Sequence, residues 1–196
     1  MGVTQDLGKR IELVSMDPHC LNITISLYRQ ERERGPEYLI HTYSLVEGSR
    51  GRISFLTKAA AVLGGMEQAG ERLRFPCGAA HQSAAKRIFL EVCKMGSDTD
   101  VAPKPLSTPD KKSGGIATAE SLGGGEYRVS AGAAIHGLKK LAEMEGEEDR
   151  VRFGCGQAHD AAIGLLLPRA LNVRAVLREE EAAASRGLLV APSAQK

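Results

Sequence analysis

The chain has 196 residues, 42% hydrophobic and 26% charged, with a formal net charge of +2. That length buries about 70% of the unfolded surface, so a core needs neither disulfides nor a metal, and no charge excess drives the chain toward a polyanion. No apolar run reaches the ~20 residues that span a bilayer. Residues 1–10 carry charge and no signal-peptide core follows, so the expected location is cytoplasmic.

In chain order, Ile11–Met16 reads as a strand, and Asp17-Pro18-His19 as a turn. From Asn22 to Tyr28 polarity alternates, with Ile23, Ile25 and Leu27 on one face, as in a half-buried strand. A charged tip ends in Gly35-Pro36, and Tyr38–Leu45 is a third strand. Residues 1–50 are therefore expected to form an antiparallel meander. Ile53, Leu56, Ala60 and Leu63 then mark a helical stripe, closed by Gly64-Gly65. Arg72–Phe75 is a short strand, and Ala79–Met95 is a helix. Residues 96–125 are rich in Pro, Gly, Ser and Thr and read as a flexible connection. Its closing Gly123-Gly124-Gly125 lacks the Lys-Ser/Thr of a phosphate-binding loop. Glu126–Ser130, Ala133–Glu145, Arg150–Phe153 and Ala158–Leu167 follow as strand, helix, strand and helix. Pro168 is expected to break or kink the last of these, and a final helix runs from Arg169 to Arg186.

The chain contains an internal duplication. Arg72–Ala84 aligns without gaps on Arg150–Ala162, with eight of thirteen positions identical, including Cys77/Cys155, Gly78/Gly156 and His81/His159. Glu37-Tyr38 and Glu126-Tyr127 also correspond. The expected fold is α/β, or mixed α+β. In it, duplicated βαβα units (35–95 and 126–187, the second with the C-terminal helix) follow the meander within one domain spanning 1–196. They share a single mixed sheet flanked by helices. A strand–helix–strand unit makes its two strands parallel, which places both Cys-Gly pairs at helix starts beyond strand ends, where ligands of open α/β sheets gather.

Three chemistries suit those corners, and function stays open among them. Cys77, His81, Cys155 and His159 could supply a tetrahedral Cys2His2 set for zinc. Gly78 and Gly156 could admit a small anion to helix N-termini, with Arg74 and Arg152 nearby. Cys77 or Cys155 could serve a thiol-dependent enzyme. Plain core packing, in a structural or interaction protein, accounts for the same residues at least as well. Nucleic acid is an unlikely partner, with 4% aromatics and no Trp to stack on bases. Oligomeric state and ligand identity have no sequence signature. Weaker candidates are His41 with Tyr43, sharing a strand face, and His19-Cys20. Cys93 reads as inert core, and Glu91 and Glu143 read as ordinary helix residues.

Overall fold

A computed structural model describes residues 9–16, 24–43, 49–95, 107–109 and 116–172. The first half runs β1 (Arg10–Met16), β2 (Thr24–Gln30), β3 (Glu37–Tyr43), α1 (Ser49–Gly64), β4 (Glu67–Ala69), β5 (Arg72–Arg74) and α2 (Gln82–Lys94). The second runs β6 (Ser107–Pro109), β7 (Ile116–Gly123), β8 (Glu126–Val129), α3 (Gly132–Ala142), β9 (Met144–Glu145), β10 (Arg150–Phe153) and α4 (Asp160–Ala170). The duplicated unit is thus βββαββα, longer than the expected βαβα. The meander belongs to the first copy rather than preceding it. The stretch 96–125, expected as a flexible connection, contributes β6 and β7, the counterparts of β1 and β2.

Two antiparallel sheets replace the single mixed sheet. The first has the order β1-β2-β3-β5-β4; the second is β7-β8-β10-β9, with three-residue β6 paired along the outer edge of β7. The expected parallel pairs are antiparallel: Tyr38 opposes Leu73 in β3–β5, and Tyr127 opposes Val151 in β8–β10. Each crossover helix leads first into a short strand, β4 or β9, which then turns back through a hairpin. The strand carrying Arg-x-Arg therefore returns between the two parallel ones, reversed. The right-handed crossover logic applies to β3→β4 and β8→β9 instead.

Period-two alternation explains which faces are covered. Leu27, Tyr38, Ile40 and Leu73 enter the core from the first sheet, and Ala119, Tyr127, Val129, Val151 and Phe153 from the second. Helices from the two halves pack on each other, α1 on α4 and α2 on both α3 and α4. One continuous apolar cluster results, drawn from both halves. At the α3–α4 crossing the backbones nearly touch: a Cβ on Gly137 would lie 2.3 Å from the Ala170 carbonyl oxygen. Pro168 lies inside α4, which continues to Ala170 rather than breaking. The rest of the expected C-terminal helix, like His19-Cys20, lies outside the described residues. Among those described, no helix is long and apolar enough to cross a membrane.

Candidate metal centre

Each Cys-Gly pair sits in a tight turn after its strand. The N–H of Gly78 donates to the Phe75 carbonyl and that of Gly156 to the Phe153 carbonyl, both at 2.9 Å. Both glycines are left-handed, at φ +70° and +71°, a conformation glycine adopts without the Cβ penalty. A β-hairpin tip braces each turn. A Cβ on Gly35 would stand 2.5 Å from the Gly78 oxygen, and one on Gly125 would stand 2.4 Å from the Gln157 oxygen. Only glycine lets the β2–β3 and β7–β8 tips approach this closely. They fix where the cysteines point.

The helices begin later than expected, not at Cys-Gly but after the histidines. His81 and His159 occupy the N-cap positions of α2 and α4, and neither side chain caps its helix. Their carbonyls accept the first helical bonds, from Ala85 at 2.9 Å and Ile163 at 3.0 Å. Both rings are therefore free to turn inward. Cys and His of each half meet across a turn and a helix start, rather than by the one-turn helical spacing the sequence suggests.

The two halves bring these four side chains together. Cys77 Sγ lies 3.3 Å from His81 Nε2 and 3.6 Å from His159 Nε2. Cys155 Sγ lies 3.3 Å from His81 Nε2 and 3.8 Å from His159 Nε2. All four donor atoms fall within 4.8 Å of one another. Each sulfur lies within 3.6 Å of the imidazole of the other half, and both are nearest to His81. The cluster could hold one metal ion.

Phenylalanines wall the imidazoles. Phe75 stands edge-to-face with His81 and His159, at ring centroids of 4.8 and 5.2 Å, and Phe153 does the same at 5.0 and 4.5 Å. Burial among these rings, opposed by Glu143, pulls the His81 pKa down. Burial and the neighbouring His81 together bring His159 down to about 4, against Asp160. Both rings are thus neutral near pH 7, with lone pairs available. Burial pushes the Cys77 thiol above its ordinary value, partly countered by the backbone N–H of Ala79.

The surroundings of the two halves differ. Tyr127 donates its hydroxyl proton to Asp160 at 2.7 Å and accepts the His159 backbone N–H at 2.9 Å, so it locks the start of α4. Its counterpart Tyr38 is equally buried, with a hydroxyl that has no hydrogen-bond partner among the described residues. Glu143, at φ +54°, reaches across the halves and accepts from the N–H and hydroxyl of Ser83 at the start of α2. The symmetry-related position is Gly65, also left-handed and facing Ala161. Glu143 is therefore a cross-half helix cap, which its place in a helical run does not reveal. Phe75, Phe153, Tyr38 and Tyr127 were visible in the repeat, but only the assembled halves show what they do.

The anion candidates separate from this cluster. Arg74 and Arg152 alternate with core-facing Leu73, Phe75, Val151 and Phe153, so they lie on the outer sheet faces. Arg74 pairs with Glu67, and Arg152 lies 3.6 Å from Glu145. Gly78 and Gly156 lie in the turns, before the helix N-termini. His41 and Tyr43 share the outer face of the first sheet with Tyr28, and the Tyr28 and Tyr43 hydroxyls are 2.8 Å apart. Cys93 is 1% exposed, and burial pushes its thiol up to about 12, which makes it inert.

Comparison with family models, curated proteins and solved structures yields no match. The geometry of the centre carries the functional reading.

Proposed function

We propose that this protein binds one zinc ion through Cys77, His81, Cys155 and His159, and that the ion locks its two halves together. The observation that carries this is the convergence of the four donors, with sulfur–nitrogen separations of 3.3–3.8 Å. A tetrahedral zinc with Zn–S of about 2.3 Å and Zn–N of about 2.05 Å gives sulfur–nitrogen edges of about 3.6 Å. Thiol–imidazole hydrogen bonds have similar lengths, so what points to a metal is that four donors of zinc's preferred types, two from each half, converge within 4.8 Å of one another.

The chemistry of the set agrees. Two thiolates balance the dipositive ion, so the centre is neutral where burial penalises net charge. Four protein ligands fill a tetrahedron, which suits a structural site rather than a hydrolytic one that keeps a position for water. The charges of Asp160 and Glu143 are felt at His159 and His81, while the carboxylates themselves accept hydrogen bonds from Tyr127 and Ser83. The thiol-catalyst reading asks for a thiolate favoured near neutral pH, whereas burial moves Cys77 the other way. The anion reading asks for available arginines, and Arg74 and Arg152 already face carboxylates.

The test is elemental analysis of protein purified without a metal-affinity tag. We expect one zinc per chain, and visible absorption of tetrahedral thiolate-bound cobalt after exchange with Co(II). Protein carrying only traces of metal, and taking up none when zinc is supplied, would overturn the reading.

A further inference from the structure

The ligand set has a dry side and a wet side. His81 and His159 are buried beneath Phe75 and Phe153, at 5% and 2% exposure. Cys77 and Cys155 are free thiols that remain part-exposed, each on a turn tip followed by a left-handed glycine. Their sulfurs lie within 4.8 Å of each other. The other described cysteine, Cys93, is sealed in the core. The cysteines are therefore the solvent-facing side of the centre, and they lie next to each other.

We infer that Cys77 and Cys155 are a redox-modified pair, which a peroxide converts into a disulfide across the two halves with expulsion of the metal. The expulsion step and the starting thiolates rest on the zinc reading above; the adjacency of the two sulfurs does not. In the first step the Cys77 thiolate attacks one peroxide oxygen. An S–O bond forms and the O–O bond breaks, and the departing hydroxide takes a proton from solvent to become water. Cys77, now a sulfenic acid, is no longer a thiolate ligand. The Cys155 thiolate then attacks Cys77 Sγ: the S–S bond forms, the S–O bond breaks, and the second hydroxide leaves as water after protonation. Two electrons pass from the sulfur pair to the peroxide. Two thiolates, one peroxide and two protons give one disulfide and two waters.

Geometry favours closure over further oxidation. The sulfurs lie within 4.8 Å of each other and zinc would hold them about 3.8 Å apart, so the two turn tips must close by roughly 2 Å to reach an S–S bond of about 2.05 Å. The partner thiol is therefore at hand when the first is oxidised. Losing both sulfurs leaves two neutral imidazoles, too few donors to fill a tetrahedron. A thiol reductant and zinc would restore the centre.

The experiment uses the full chain, zinc-loaded, both wild-type and carrying Cys20→Ser with Cys93→Ala. Hydrogen peroxide is added in the presence of a chromogenic chelator, and digested peptides are weighed by mass spectrometry. We expect one zinc released per disulfide formed, and a cross-linked peptide pair containing 77 and 155, lighter by two hydrogens. Both should reverse on reduction with zinc present. The Cys155→Ser chain should give no cross-link and a stably oxidised Cys77. Retention of zinc under excess peroxide, or release with the two cysteines separately oxidised to sulfinic acids, would overturn the inference. Should the chain take up no zinc, the metal reading falls by itself, and the same cross-link in the metal-free chain still decides whether the thiols pair.

Discussion

Removing the metal should loosen this protein without unfolding it, and the size of the change can be worked out. The apolar cluster is continuous across both halves; His81 and His159 are not members of it, and Cys77 and Cys155, partly buried, only pack against it. The metal-free chain therefore keeps a core, unlike small zinc modules that unfold outright. A metal that binds only the folded state adds RT ln(1 + [L]/Kd), about 2.7 kcal/mol at a free concentration a hundredfold above Kd and about 4.1 at a thousandfold. In domains of about 150–250 residues each kcal/mol moves the melting temperature by roughly 2–4 °C. A thousandfold excess should thus raise Tm by roughly 8–16 °C, and each further tenfold by a constant increment. Thermal unfolding followed by circular dichroism, in buffers that clamp free zinc, measures this. In Cys77→Ser or His159→Ala the dependence on zinc should shrink sharply, because each removes a donor shared by both halves. A Tm indifferent to free zinc, or a dependence unchanged in those variants, would refute the reasoning.

Three further outcomes follow from the same geometry. The ordinary histidine pKa is 6.5 and that of His159 in the folded metal-free chain is about 4, so the unfolded chain binds more protons between these values. Stability of the metal-free protein should be flat above about pH 6.5 and fall as pH drops toward 4, by an amount on the order of 3 kcal/mol; urea unfolding at several pH values checks this. Tyr127→Phe should cost about 1–3 kcal/mol, since it strands Asp160 and the His159 N–H, whereas Tyr38→Phe should be near neutral because that hydroxyl has no partner among the described residues; equal costs in denaturant unfolding would contradict the assignment. Gly137→Ala should destabilise by about 1–3 kcal/mol or more, since its new methyl would lie against the Ala170 backbone, and a Tm unchanged from wild type would show that the α3–α4 crossing is looser than described.

The duplication was legible because it is written in side chains the site needs: Arg-x-Arg-Phe, Cys-Gly and His recur 78 positions apart. Strands with branched or aromatic residues in alternation, such as β2 and β3, announced themselves. The strand β7 did not, because its core face is built of Ala117 and Ala119, and alanine is poorly represented in strands. The strands β4 and β9 are three and two residues long and mostly exposed, so no period could show. Missing them reversed the inferred direction of β5 and β10, and merged two antiparallel sheets into one mixed sheet. The four metal-capable residues were nameable from the repeat, which carries a Cys and a His in each copy. Their convergence was not, because it depends on α2 and α4 packing across the halves, and on His81 and His159 lying at helix starts with uncommitted side chains. The cap that Glu143 provides was hidden for a related reason: its partner, Ser83, is 60 residues away and in the other half.

X-ray absorption at the zinc edge of the purified, undigested chain addresses the assembled centre most directly. We expect a first shell of two sulfurs at about 2.3 Å and two imidazole nitrogens at about 2.0–2.1 Å, with outer-shell ring scattering from two histidines. A shell made only of oxygen and nitrogen, or one sulfur per zinc with the remaining positions filled by water, would mean that the matching corners of the two halves do not share an ion.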